Sequence, residues 1–231
     1  MAPQPGPGFC DLCFNLIGAD ATHCRACSLQ PNHLDALVPI SYSLSGGPLH
    51  MVLRAYKRDA DPFVSQAVGE LASILERFLG HHERCLGNGL PFDVVTTVPS
   101  GDPYGDQLHP LRRIVAELVP SLAGRHRRLL ERSSVRVAPR TFHAGRFSAR
   151  ERLAGESVLL IDDTWATGAS AQSAAAALRG AGAGRVAAVV VGRHLNRAWP
   201  DNLRRLGALQ LDFDWAACAL CAPPRIQAGA A

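Results

Sequence analysis

The sequence lacks any apolar run long enough to cross a membrane, and it is poor in aromatic residues. Aromatic residues make up 6% of the 231 residues, and there are 2 methionines. A membrane-spanning helix needs roughly 18 or more consecutive apolar residues, and no such run occurs. Residues 1–9 are rich in Pro and Gly and lack the basic and apolar regions of a signal peptide. We therefore expect residues 1–9 to form a flexible tail and the protein to stay in the cytoplasm.

The composition that is present favours a packed α/β protein. Hydrophobic residues make up 47% and charged residues 19% of the chain, which predicts a folded core rather than disorder. The length allows one α/β domain with a small appendage. The chain contains 7 cysteines. In a reducing cytoplasm, closely spaced cysteines more often bind metal than form disulfides.

Positive charge is concentrated in one stretch. Residues 125–152 contain nine arginines and only two acids, Glu131 and Glu151, so this stretch carries +7 in a chain of net charge +4. Such a stretch suits a polyanion, either a pyrophosphate or a nucleic acid. A solvated, arginine-rich connection explains it equally well.

The pattern of apolar residues predicts a parallel sheet covered by helices. The segment SVLLI at 157–161 is the clearest strand, an alanine-rich helix is predicted at 170–180, and a further strand follows at 185–192. This β–loop–α–β order is typical of parallel sheets. The remaining predicted elements are strands at 37–44, 93–98 and 127–131, helices at 46–57, 62–78 and 109–118, and a long loop with some local structure at 133–156.

Two closely spaced cysteine pairs near the start predict a zinc knuckle. Cys10 and Cys13 form one C-x2-C turn, and Cys24 and Cys27 form another ten residues later. Two such turns supply four thiolates in the tetrahedral arrangement that structural zinc prefers. The segment is too short to build its own core, so metal binding would supply its folding free energy. His23 could also ligate, although a solvated histidine is the simpler interpretation with four thiolates available.

The three remaining cysteines give weaker signals. His81, His82 and Cys85 resemble a metal cluster, but they lie near a predicted helix end and their spacing fits ordinary surface residues as well, so we discount a metal there. Cys218 and Cys221 form a C-x2-C pair near the end of the chain. That pair could be half of a second metal site, a redox pair or structural, or it could complete the N-terminal site.

The segment VLLIDDTWATGAS at 158–170 predicts a site for a sugar phosphate. Asp162 and Asp163 follow a buried strand, at the edge where ligands bind in open parallel sheets. The turn after them leads into a helix whose free backbone N–H groups favour a phosphate. Thr167 and Ser170 add hydroxyl donors, and Gly168 allows close approach of the backbone. The alternative is an acid pair that caps a strand–helix turn without a ligand.

This segment resembles the loop of type I phosphoribosyltransferases, in which an apolar strand, two acids and a Thr-Thr-Gly-x-Thr-like turn bind 5-phosphoribosyl pyrophosphate. Asp162, Asp163, Thr167, Gly168 and Ser170 match that pattern. Thr164 and Ala166 depart from it, because a branched apolar residue and a Thr or Asp are usual there. Together with the cysteine knuckle, the chain resembles the ComF family over residues 10–195. Residues 106–111 stand where that family has Arg-Gly-Phe-Asn-Gln.

The resemblance implies a domain arrangement and a ligand. It implies a tail at 1–9, a zinc knuckle at 10–36, a type I phosphoribosyltransferase-like α/β domain at 37–215, and a C-terminal segment with the last C-x2-C pair at 216–231. The implied ligand is phosphoribosyl pyrophosphate with Mg²⁺, beside a structural Zn²⁺. The implied contacts to phosphoribosyl pyrophosphate are Asp162, Asp163, Thr164, Ala166, Thr167, Gly168, Ala169 and Ser170. Lys57, Pro99, Ser100 and Gly101 are the implied pyrophosphate side, although a solvated lysine that ends a helix explains Lys57 equally well.

Three functions follow from the resemblance, and the last of them is a regulatory or degenerate module that senses the sugar pyrophosphate without turnover. The first is transfer of phosphoribosyl to a nitrogen acceptor, although no residue can be assigned as catalytic and the acceptor is open. The second follows from the association of ComF proteins with competence. It is a non-catalytic role in DNA uptake, in which the arginine-rich stretch would bind single-stranded DNA or the import machinery. That stretch has few interleaved aromatic residues to stack on bases.

Overall fold

A computed structural model describes residues 3, 5–58, 63–100, 109–198, 202, 205–206 and 213–222. Its centre is a parallel sheet of four strands in the order β1–β6–β5–β2. The strands are β1 (Ala36–Leu44), β2 (Val94–Thr97), β5 (Ser157–Trp165) and β6 (Arg185–Leu195). A small antiparallel pair, β3 (Leu130–Arg132) and β4 (Phe147–Ala149), stands apart from this sheet. The predicted parallel sheet is therefore confirmed.

Helices cover both faces of the sheet. Their bounds are α1 (Arg25–Ser28), α2 (Pro48–Ala55), α3 (Val64–Leu86), α4 (Pro110–Arg113), α5 (Pro120–Ala123) and α6 (Ala169–Ala181). A π-helical turn at Ile114–Leu118 joins α4 to α5, and a 3₁₀ turn at Ala144–Arg146 precedes β4. The region 109–118 was predicted as one helix, and the structure divides it between α4 and the π-helical turn.

The two faces follow from the alternation of side chains along the strands. Leu159 and Ile161 of β5 pack in the core under α2 and α3, whereas Val158 and Leu160 pack under α6. Strands buried on both faces are continuously apolar, which is why the segment at 157–161 was a clear signal. The sheet is thus the middle layer of three.

Helix α3 runs well past its predicted end at residue 78 and stops at Leu86. Its buried face repeats at helical spacing through Leu71, Leu75 and Phe78, and it continues to Leu86. The helix ends before Asn88 and Gly89, which both adopt positive φ. This extension places His82 and Cys85 on the helix.

The cysteine knuckle packs against the sheet domain. The hydroxyl of Tyr42 on β1 donates a hydrogen bond of 2.7 Å to the carbonyl oxygen of Phe14. Phe9, assigned to the tail by sequence, forms an antiparallel bridge with Leu16. The four knuckle cysteines share a hydrophobic core with residues under α6. The knuckle is therefore part of the domain's packing.

Candidate functional site

The acid pair lies on a strand rather than after it. β5 continues through Trp165, and Asp162 and Thr164 pair with Val190 and Gly192 of β6. Because successive side chains of a strand point to opposite faces, the two acids are directed differently. Asp163 belongs to the face covered by α2, whereas Asp162 belongs to the face covered by α6. The sequence had predicted that the strand ends at Ile161, before both acids.

Asp163 forms a short ion pair with Lys57, just beyond the end of α2. Its Oδ2 atom lies 2.5 Å from the Lys57 Nζ atom, and the carboxylate is almost buried while the lysine side chain is 43% exposed. Tyr56 is fully buried beside this pair. Burial, and then the negative charge of Asp163, hold the pKa of the Tyr56 hydroxyl well above its usual value. Lys57 is thereby held next to the acid pair with its amine still accessible to a ligand.

Asp162 is in a different electrostatic environment from its neighbour. Burial, and then the negative charge of Asp163, raise the pKa of Asp162 well above the usual 3.8, while Lys57 opposes this shift. Its carboxylate accepts a hydrogen bond of 2.9 Å from the backbone N–H of Asp163. A sugar hydroxyl that donates a hydrogen bond to this carboxyl would stabilise its ionised form and so oppose the rise in its pKa.

The loop between β5 and α6 turns at Gly168. This residue is the N-cap of α6, has a φ of +84°, and as glycine has no side chain to cap the helix. The backbone N–H of Ala169 donates a hydrogen bond of 3.4 Å to the Thr167 hydroxyl. A Cβ atom at Gly168 would lie 2.1 Å from the ring of Trp165. Both the backbone conformation and the close ring require glycine. The result is an uncapped helix start that faces the cleft beside the two acids.

One cleft of about 490 Å³ contains nearly all the residues that the sequence predicted to bind ligand. Gly101 and residues 106–108 lie outside the described residues. The cleft is also lined by six residues outside that prediction, which are Val98, His109, Pro110, Arg140, Trp165 and Ala171. Arg140 carried a signal, since it belongs to the arginine-rich stretch, whereas His109, Pro110 and Trp165 had none. The predicted residues lining the cleft are Lys57, Pro99, Ser100, Asp162, Asp163, Thr164, Ala166, Thr167, Gly168, Ala169 and Ser170.

Several arginines of the stretch at 125–152 are occupied by acids. Arg125 pairs with Glu83, and Arg127 pairs with Glu151 at 2.8 Å. Arg150 lies 2.6 Å from Glu131. Arg146 is buried and donates to the carbonyl oxygens of residues 138 and 141. Glu131 and Glu151 are already counted in the net +7, so the stretch is less positive toward solvent than its sequence indicates because Glu83 lies outside it and because Arg146 is buried. Of its nine arginines, Arg140 lines the cleft.

The four N-terminal cysteines form a buried cluster that fits structural zinc. The ligand atoms of Cys10, Cys13, Cys24 and Cys27 all lie within 4.8 Å of one another, and all four residues are buried and unbridged. The Cys13 and Cys24 sulfurs are 3.6 Å apart, close to the ~3.8 Å expected between thiolates 2.3 Å from a tetrahedral zinc. His23, beside Cys24, is exposed and lies outside the cluster.

Arg193 connects this cluster to the cleft. It is 3% exposed and donates hydrogen bonds of 3.0 Å to the carbonyl oxygens of Cys13 and Trp165. It also donates to the carbonyl oxygen of Ala166 at 3.1 Å and contacts the Cys13 sulfur at 3.5 Å. One buried guanidinium therefore fixes both the knuckle and the start of the loop. A single arginine at the end of a predicted strand gave no sequence signal for this role.

A second contact between knuckle and loop comes from residues 30–33. The Gln30 side chain donates a hydrogen bond of 2.6 Å to the carbonyl oxygen of Thr167. The backbone N–H of His33 donates to the side-chain oxygen of Gln172 on α6 at 2.7 Å. The segment after the knuckle thus supports the loop from outside the cleft.

The prediction that His82 and Cys85 are surface residues is wrong for His82. That residue is 2% exposed, because the longer α3 turns it inward. Burial lowers the pKa of its imidazole. Its ring and the thiol of Cys85 meet Cys218 and Cys221, and the ligand atoms of all four residues lie within 4.8 Å of one another. His81 stays exposed.

Among the described residues, no helix is both long enough and apolar enough to span a bilayer. Neither a protein-family model nor a curated protein sequence matches this chain. The protein has a mixed α/β fold with a largely parallel sheet. Its cleft contains an acid pair and an uncapped helix start, and a cysteine cluster lies behind the loop.

Proposed function

We propose that the cleft binds 5-phosphoribosyl pyrophosphate as its magnesium complex, on a type I phosphoribosyltransferase-like fold. The proposal rests on one observation. Asp162 and Asp163 lie in the same cleft of about 490 Å³ as the uncapped start of α6. Carboxylates accept hydrogen bonds from sugar hydroxyls, and a helix start donates backbone N–H groups to a phosphate. A sugar phosphate offers both kinds of group a short distance apart.

The 5-phosphate would bind at the loop. Gly168 keeps the backbone open, since a larger residue would collide with Trp165, and the hydroxyls of Thr167 and Ser170 line the same part of the cleft. The positive end of the α6 dipole adds to the attraction. The ribose hydroxyls would then donate to Asp162 and Asp163, one on each side of β5.

The pyrophosphate would lie toward Lys57 and residues 99–100. The Lys57 amine is paired with Asp163, but it is 43% exposed and at the cleft. A magnesium pyrophosphate group would compete with Asp163 for this amine and leave the carboxylate for the sugar. Lys57 would therefore exchange one anionic partner for another on binding, and a ribose hydroxyl would replace the amine at Asp163.

We further propose that the bound sugar can be transferred to a nitrogen acceptor. In that reaction the bond from ribose C1 to the pyrophosphate oxygen breaks, and a bond from C1 to the acceptor nitrogen forms. Pyrophosphate leaves as its magnesium complex, and the nitrogen loses a proton to solvent or to the leaving group. The protein's part is to hold the sugar in line and to neutralise the pyrophosphate charge.

The presence of the cysteine cluster behind the loop supports the likeness to the ComF family. The alternative function, binding of single-stranded DNA through residues 125–152, is less well supported. Arg125, Arg127 and Arg150 are paired with acids, and Arg146 is buried. A strongly salt-dependent DNA affinity would favour that alternative.

The test is calorimetric titration of the zinc-loaded protein with magnesium phosphoribosyl pyrophosphate. Asp163→Asn should weaken binding roughly 10- to 150-fold, which corresponds to the loss of a charge-assisted hydrogen bond worth about 1.5–3 kcal/mol. Asp20→Asn is the matched control, because Asp20 is exposed on the knuckle, outside the cleft. Folded wild-type protein that does not bind the ligand would refute the proposal.

Two ligands that each contain one part of phosphoribosyl pyrophosphate test the two sides of the site separately. Ribose 5-phosphate should lose affinity when Asp163 is replaced, and inorganic pyrophosphate with Mg²⁺ should lose affinity in Lys57→Met. Release of pyrophosphate in the presence of candidate nitrogen acceptors then tests transfer separately from binding. Binding without release for any acceptor would limit the function to binding.

A further inference from the structure

We propose that His82, Cys85, Cys218 and Cys221 form a second structural zinc site, independent of the N-terminal knuckle. His82 and Cys85 are three residues apart on α3, so they lie on the same face of the helix. Cys218 and Cys221 come from the C-terminal segment, and His82 and Cys221 are 139 positions apart in sequence. The four ligand atoms lie within 4.8 Å of one another.

The distances in this cluster fit a tetrahedral zinc. The Nδ1 atom of His82 is 3.8 Å from the Cys85 sulfur and 3.7 Å from the Cys221 sulfur. A zinc with bonds of about 2.3 Å to sulfur and 2.0–2.1 Å to nitrogen places its N and S ligands ~3.6 Å apart. The cysteines of the cluster are unbridged, and a disulfide would bring two sulfurs to about 2.0 Å.

A backbone carbonyl orients the His82 imidazole for metal binding. The His82 Nε2 atom lies 2.8 Å from the carbonyl oxygen of Trp215. A carbonyl can only accept, so Nε2 carries the hydrogen, and Nδ1 presents its lone pair to the thiols. A metal-bound histidine commonly has such a carbonyl partner on its other nitrogen. The ring is 2% exposed, so this orientation is fixed by packing.

The C-terminal turn is shaped for thiolates. The backbone N–H of Cys218 donates to the Cys221 sulfur at 3.2 Å, and the N–H of Leu220 donates to the Cys218 sulfur at 3.4 Å. Hydrogen bonds to sulfur stabilise its negative charge. Three thiolates and one imidazole are a soft donor set typical of zinc, and four protein ligands leave no open position for catalysis.

The metal would fasten the C-terminal segment to α3. Cys218 lies in the core under α3, and the Trp215 ring packs against the Arg77 guanidinium at 4.5 Å. Because the ligands are so far apart in sequence, their cross-link restrains a long loop of the unfolded chain. All 7 cysteines of the protein then belong to one of two zinc sites.

The test is the zinc content of the full-length protein, purified under reducing conditions. We expect two zinc ions per chain in the wild type and one in Cys218→Ser/Cys221→Ser. The matched control is His81→Ala, because His81 is the exposed neighbour of His82, and this variant should retain two. In the cobalt-loaded protein, the thiolate-to-cobalt absorption should correspond to seven bound thiolates in the wild type and to four in the double variant.

The stoichiometry of the wild type decides the question even if the double variant fails to fold. One zinc per chain in the wild type would overturn the proposal. Retention of two zinc ions in Cys218→Ser/Cys221→Ser would also overturn it, because the second ion would then bind elsewhere. A Cys218–Cys221 disulfide in freshly purified reduced protein would assign the pair to redox chemistry instead.

Discussion

Replacing Gly168 with alanine should damage both the fold and the proposed phosphate loop. Gly168 has a φ of +84° and is the N-cap of α6. An added Cβ atom would meet three atoms of the Trp165 ring, the closest at 2.1 Å. That ring cannot easily withdraw, because Trp165 is 2% exposed and its carbonyl oxygen is held by Arg193. The loop itself must therefore shift.

The expected cost has two parts. A residue with a Cβ atom in the left-handed region costs about 1–2 kcal/mol. Forcing an extra methyl group into a packed site costs about 1–3 kcal/mol. We expect the free energy of unfolding of Gly168→Ala to fall by about 2–5 kcal/mol. We also expect weaker binding of ribose 5-phosphate, since the N–H groups at the start of α6 move with the loop.

The control is Gly180→Ala, on the same helix. A Cβ atom at Gly180 meets nothing within 4 Å, and its φ is not positive. Because glycine within a helix is less stable than alanine, this variant should gain up to about 0.5–1 kcal/mol. The assay is urea unfolding followed by circular dichroism, with all proteins loaded with zinc. Equal stability and equal ligand affinity of Gly168→Ala and wild type would refute the reasoning.

Two further predictions concern buried charge. Burial, and then the negative charge of Asp163, raise the pKa of the Asp162 carboxyl in the folded protein. The folded protein therefore keeps the Asp162 proton to a higher pH than the unfolded chain does. The free energy of unfolding falls as the pH rises from about 3.8 through the folded pKa. Asp162→Asn should therefore have a higher free energy of unfolding than wild type at neutral pH, and the difference should shrink in acid. A difference that does not change with pH in unfolding experiments would contradict this explanation. Arg193→Met leaves the carbonyls of Cys13, Trp165 and Ala166 without their donor, and it should lower the free energy of unfolding by about 2–5 kcal/mol. The same variant should weaken both zinc retention at the knuckle and sugar-phosphate binding, and loss of only one of these would show that Arg193 does not couple the two sites.

The signals that predicted the fold correctly were local ones. The apolar run at 157–161 and the alanine-rich helix after it are short-range patterns, and the structure has a strand and a helix there. The two cysteine pairs at Cys10–Cys13 and Cys24–Cys27 also carry their meaning in their spacing, and they meet as predicted. The residues of the predicted sugar-phosphate site are close in sequence, so most of them lie together in the cleft.

The errors concern features that depend on distant partners. β5 extends to Trp165 because β6 offers it a long edge to pair with, and nothing within residues 162–165 indicates that edge. Helix α3 extends to Leu86 because its last turns bury His82 and Leu86. The charge of the arginine-rich stretch was overestimated, since the acids that pair with it include Glu83, from another part of the chain.

By itself, the sequence determined the strand–loop–helix unit, the paired cysteines and the chemistry of the loop, because each depends on residues that are neighbours along the chain. Only the tertiary structure decided that Lys57 pairs with Asp163, that Arg193 joins the knuckle to the loop, and that His82 faces Cys221. Each of these contacts joins residues that are far apart along the chain. Spacing in sequence carries no information about which distant residues a core will bring together.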